Sequence, residues 1–193
     1  MATVTNRVAS DNDDIIVWGS SYDLTPSGLY LGHDGTSNDF GLRFVLNVAA
    51  GATITAASLT FTANASLSND TVRVKIYYQD ANDPGNFSGD DAAAFGARTR
   101  SSVSVDWDFT TNWSDGTEYA SADITSLIQA LVNEAYWSSG EHCVILIEDD
   151  SSDNTAYRKA DSYHSDSSAA ALLSVTYAEG AAVAMGHFRR RRV

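Results

Sequence analysis

The chain has 193 residues, enough for one domain with a sizeable core. A hydrophobic content of 44%, with four Trp, nine Tyr and seven Phe, argues for a folded globule and against a disordered chain. The formal net charge is −13, but Arg189 to Arg192 hold four of the twelve basic residues and no acid follows Glu179, so the first 188 residues set eight bases against 25 acids, or −17. That potential opposes binding to nucleic acid or an anionic membrane.

Thr3 to Val8 alternates as a short strand, which Ser10 to Asp14 interrupts. Ile15 to Trp18 and Leu29 to Leu31 read as strands, separated by loops rich in Gly, Ser and Pro. Phe40 to Val48 places Phe40, Leu42 and Phe44 on one face and Arg43, Val45 and Asn47 on the other. After a turn at Gly51, Ile54 to Ala63 and Thr71 to Asp80 alternate again, each with one wet face. Ala81 to Arg100 lacks a period and reads as a long surface connection with one helical turn at Asp91 to Phe95. Val103 to Trp107 is a further strand, followed by an aromatic-bearing loop to Tyr119.

The strongest signal in the chain is helical. Ile124, Leu127, Ile128, Leu131, Val132 and Ala135 recur at the spacing of one buried face, predicting an amphipathic helix over 124–135. Thr125, Ser126, Gln129, Asn133 and Glu134 fall on the opposite side. Asp123 is placed to cap the first turn, and Gly140 to end the helix in the left-handed conformation. Cys143 to Ile147 is apolar without alternation, predicting a strand covered on both faces and a buried, inert thiol. Ala156 to Tyr163 and Ala171 to Tyr177 complete nine or ten short strands around one helix. The pattern predicts an all-β, antiparallel two-sheet sandwich of jelly-roll type over residues 1–179. Residues 180–193 read as a flexible basic tail.

Three strings carry a resemblance: RFVLNVAAGATITAASLTF, SADITSLIQALVNEAYWSSGEHCVILIEDD and AYRKADSYHSD followed by ALLSVTY. They resemble the strand–GATI–strand unit, the D-I/V-T helix with its following strand, and the closing strand pair of the DNRLRE-type and disaggregatase-related carbohydrate-binding-like modules. Similar modules occur in bacteriophage structural proteins. The resemblance spans about Ala2 to Tyr177 and implies a jelly roll with a non-catalytic role, and carbohydrate binding as a possible activity. Where many members carry a W-x-E-x-T-W segment, this chain has GDDAAAFGARTRSSVSVDW, so ligand contacts of that segment do not transfer.

Candidate chemistry is sparse. The four histidines have no zincin-like spacing, and no nucleophile elbow, P-loop or dinucleotide fingerprint occurs. Asp11, Asp13 and Asp14 in one loop, and Glu148, Asp149, Asp150 and Asp153 in another, offer hard oxygen ligands for a structural calcium ion, against ordinary turn chemistry as the alternative. Trp107 and Trp137 end regular elements and read as core, whereas Trp113, in a polar loop, reads as exposed. Trp113 and Tyr119 are therefore the candidate stacking residues for a glycan. Phe188, Arg189, Arg190, Arg191, Arg192 and Val193 are candidate docking residues for a carboxylate-rich surface on another copy or another protein, with a frayed terminus as the alternative.

An extracellular type of fold, an N-terminus without the pattern of a signal peptide, and a basic tail lead to one expectation. The chain reads as a non-enzymatic virion protein of a bacteriophage, decorating the head or belonging to the tail or its fibres, made in the host cytoplasm and external after release. Its expected partners are other virion proteins or copies of itself. The alternative is a carbohydrate-binding adhesion module recognising a surface polysaccharide.

Overall fold

A computed structural model describes residues 1–67 and 70–178 of the chain. The basic tail lies outside the described residues. One antiparallel sheet has the order β1 (Ala2–Arg7), β12 (Leu172–Ala178), β6 (Thr53–Thr62) and β9 (Glu118–Ala120). The other runs β11 (Tyr157–Ala160), β4 (Leu29–His33), β5 (Ser37–Val45), β10 (His142–Asp149), β7 (Val72–Tyr78) and β8 (Val105–Phe109). Two further strands, β2 (Asp14–Trp18) and β3 (Ser21–Asp23), join it through β5. First strand lies beside last, and β5, β10, β7 and β8 face β1, β12, β6 and β9. This is jelly-roll winding, with β2 to β4 and β11 added to one sheet. The two strands that the sequence pattern does not reveal, β3 and β9, have three residues each, too short for a period of two to register.

The space between the sheets is filled by Phe40, Phe44, Phe61, Leu59, Val74, Ile76, Ile145 and Ile147, all essentially without exposed surface. The central strand β10 pairs with β5 on one side and β7 on the other. Its five apolar residues are covered on both faces, as their lack of alternation predicts. Cys143, Ile145 and Ile147 face the main core. Val144 and Leu146 face a second, smaller core on the outside of the sheet, built with Ile15, Val17, Phe87 and Phe95. Burial pushes the Cys143 thiol up to about 12, which keeps it protonated and unreactive.

Phe87 and Phe95 come from the long connection between β7 and β8. It contains a short helix, α1 (Ala92–Ala97), capped by Asp91, whose carboxylate accepts the Ala94 amide at 2.8 Å. This segment is anchored over the sheet, not a loose surface loop. The Arg98 guanidinium lies 4.3 Å from the Phe87 ring centre and pairs with Asp90, while Arg100 covers Phe95 and pairs with Glu148.

The amphipathic helix α2 (Thr125–Val132) is shorter than its apolar pattern. Asn133 caps it, and Gly140, at φ +92°, serves the turn before β10. The N-cap position belongs to Ile124, with Asp123 one residue earlier, where its carboxylate accepts the Thr125 amide at 2.9 Å. The helix buries Leu127, Ile128, Leu131 and Val132 against the core. Its polar side does not simply face water. Gln129 Oε1 accepts the Ile54 amide at 2.8 Å and its Nε2 donates to the Ala52 carbonyl, Thr125 Oγ1 accepts the Ala57 amide, and Ser121 Oγ accepts the Leu59 amide. These bonds satisfy the edge of β6 where β9 is too short to reach.

Candidate functional site

The sequence-predicted sites resolve into structural roles. Trp113 is 2% exposed. Backbone bonds in both directions between Leu67 and Trp113 turn its loop back onto the sandwich. The indole then stacks on Tyr119 at 4.8 Å and on Phe109 at 6.0 Å. It continues a row of rings through Trp107 to Phe61. A polar neighbourhood in sequence gives no sign of this, because the partners come from β8 and β9. Tyr119 is half-buried, and its hydroxyl accepts the Ser114 amide. The expected exposure of Trp113 is corrected to burial in the core, and Tyr119, partly buried, has a ring face stacked against it.

Neither acidic loop gathers its carboxylates into a calcium cage. Asp13 pairs with Arg43 at 2.9 Å and accepts the Ser10 hydroxyl, and Asp11 faces His164 at 3.4 Å. Glu148 pairs with Arg100 at 2.6 Å, Asp150 with Lys75 at 3.0 Å and Asp153 with Arg73 at 2.7 Å. Asp149 accepts the Ser37 hydroxyl and the Ser152 amide. Among the described residues no group of three or more His, Cys, Asp or Glu is placed to hold a metal ion. The carboxylates are engaged by the protein's own cations and turns. Phe188 to Val193 lie outside the described residues.

Two carboxylates stand apart electrostatically. Asp14, buried at the start of β2, is raised to about 7, first by desolvation and then by Asp11 and Asp13, against the Tyr163 amide that it accepts at 2.7 Å. Its Oδ1 is buried without a hydrogen bond. Asp39 is raised to about 6, again chiefly by desolvation, with the Asp149 amide opposing.

A cleft that the sequence does not reveal lies where the β2–β3 hairpin meets the β4–β5 turn. It has a volume of about 370 Å³ and is lined by Trp18, Asp23, Tyr30, Asp34, Thr36 and Asn38, among others. Strand pairing assembles it: Trp18 lies opposite Asn38, and Asn38 opposite Gly32. Tyr30 lies opposite Lys159, whose ammonium sits 5.5 Å from the phenol ring, and stacks on Tyr157 at 5.6 Å. Gly28 lets the chain pass close to β11. A Cβ there would meet the Lys159 side chain at 2.4 Å. Asn38 is 4% exposed and spends its amide group on the carbonyls of Gly32 and Thr36 and on Asp34 Oδ1. Asp23 Oδ1 accepts the Thr25 amide at 2.8 Å in a local turn. Burial raises the Tyr30 phenol, with Asp34 adding to it. The available sequence signal was slight: an aromatic residue at the end of one apolar run and another in the middle of the next.

No helix among the described residues is long and apolar enough to cross a membrane. No protein-family model matches the chain, and no curated protein matches it in sequence.

Proposed function

We propose that the chain is a non-enzymatic structural protein of a bacteriophage virion, a head decoration or a component of the tail or its fibres. The observation that carries this reading is the outer face of the four-stranded sheet. There Thr3 and Thr176 lie side by side, as do Thr5, Ser174 and Ser58, while the residues that alternate with them face the core. An outer face lined mainly by hydroxyls, with Arg7 and Glu118 as its charged members, gives neighbouring subunits of so acidic a protein a place to sit with little charge repulsion. The resemblance to modules found in phage structural proteins supports the same reading. Phe188 to Val193 supply a second contact, with the arginines pairing to carboxylates of a neighbour. Mass spectrometry of purified virions is expected to recover the protein. A variant truncated after residue 179 is expected to fold but to be lost from the particles. Virions free of the protein overturn the reading, and full incorporation of the truncated chain overturns docking through the tail.

The cleft favours a second, compatible reading, a carbohydrate-binding adhesion module. Aromatic walls beside carboxylate and amide oxygens suit a sugar ring, whose faces are apolar and whose edge is hydroxylated.

A further inference from the structure

We propose that the cleft between the β2–β3 hairpin and the β4–β5 turn binds an uncharged, hydroxyl-rich sugar unit of a polysaccharide and excludes uronate- and sulfate-bearing chains. This rests on the carbohydrate reading and specifies its ligand. The reasoning starts from which polar atoms the protein leaves open. Asn38 has consumed its donors on Gly32, Thr36 and Asp34, and its Oδ1 receives no protein hydrogen bond. Asn38 is almost wholly buried and lines the cleft, so what little of its surface is accessible there is open to a donor brought by a ligand. Asp34 commits Oδ1 to Asn38, and Asp23 commits Oδ1 to Thr25; among the described residues the second oxygen of each carboxylate has no donor. All three residues line the one cleft, so two carboxylates and an amide, each with an oxygen left uncommitted, border the same space.

A ligand for such a site must bring donors and no negative charge. Adjacent hydroxyls on a pyranose do this, giving charge-assisted bonds to each carboxylate. A uronate or sulfate would meet both carboxylates in a space partly closed from solvent, and the protein around them is acidic as well. Lys159, paired with Tyr30 across β11 and β4, is held over the Tyr30 ring beside Gly28 and does not reverse that sign. Trp18 and Tyr30 supply apolar surface for the ring's faces. The cleft volume lies near the lower end of the range for small-ligand sites, room for a short stretch of a chain and not for a long groove.

Affinity gel electrophoresis of the full chain tests this with galactomannan, a mixed-linkage β-glucan and dextran as uncharged probes, and alginate and polygalacturonate as charged ones. Retardation by at least one uncharged probe is expected, with none by the charged pair. Asp34→Ala and Trp18→Ala are each expected to weaken retardation at least tenfold. Asp34 is exposed and Asn38 keeps the Gly32 and Thr36 carbonyls as acceptors, so Asp34→Ala is expected to move the thermal midpoint little and decides the matter if Trp18→Ala folds poorly. Retardation by alginate or polygalacturonate alone overturns the ligand class and leaves the carbohydrate reading standing. Retardation by no probe overturns both. Binding that survives in both variants places the sugar elsewhere and overturns the site.

Discussion

Asp14 has no exposed surface, and one of its carboxylate oxygens has no hydrogen-bond partner. Its pKa in the folded protein, about 7, lies above the ordinary carboxylate value of 3.8. Between those values the folded state holds a proton that the unfolded chain releases, so the stability this group confers is complete below about pH 4 and is lost as pH rises toward 7. That difference corresponds to roughly 4 kcal/mol. Asp39, at about 6, adds a slope of the same sign. Asp83, Asp123 and Asp153 are held below the ordinary value by hydrogen bonds they accept, and their contribution runs the other way, disappearing in acid. Urea midpoints are therefore expected to fall from pH 4.5 to pH 7.5, with Asp14→Asn flattening most of that descent. An unchanged slope in the variant would mean that another group carries it. At this scale the burial of Cys143 was legible from its apolar run, and the state of Asp14 was not. Asp14 read as one of three loop acids, and its burial depends on the Tyr163 segment some 149 positions away.

At the scale of elements, the helix and the strand β10 were legible because their apolar spacing is set by packing on one or two faces. The polar side of α2 was not. Thr125 and Gln129 occupy the positions of solvent residues in a helical projection, yet they complete the hydrogen bonding of β6. Such a role depends on which strand lies alongside, a matter of topology that a local period does not contain. The connection carrying α1 was similarly opaque, since Phe87 and Phe95 are eight residues apart with no repeat between them. Their docking depends on Gly41. A Cβ at that position of β5 would lie 2.5 Å from Phe87 and 3.2 Å from Phe95. Gly41→Ala is expected to destabilise the fold by about 1–3 kcal/mol through overpacking. Hydrogen exchange should quicken at residues 86–98 and not in β6 or β12. Unaltered exchange there would show that the outer core yields without loosening.

For the whole molecule, composition and alternation were enough to predict two antiparallel sheets, while the order of strands within them is set by long-range pairings, β1 with β12 among them. The acidic charge was visible at once, but its distribution was not. The loops that looked like metal sites are tied to Arg43, Arg73, Lys75 and Arg100, while the open carboxylates lie in a cleft formed by parts of the chain that look like ordinary turns. Long-range pairing set both outcomes. The closure of the jelly roll has a mechanical side. Ala2 pairs with Tyr177 and Arg7 with Leu172, so the two outer ends of this antiparallel pair emerge together. Tension applied through both ends opens the β1–β12 ladder one rung at a time and never loads its hydrogen bonds in parallel. In single-molecule pulling the domain is expected to yield at lower force when held by residues 2 and 177 than when held by cysteines placed at Asn6 and Tyr177, which load the same pair along its length. Equal forces would locate the mechanical barrier elsewhere.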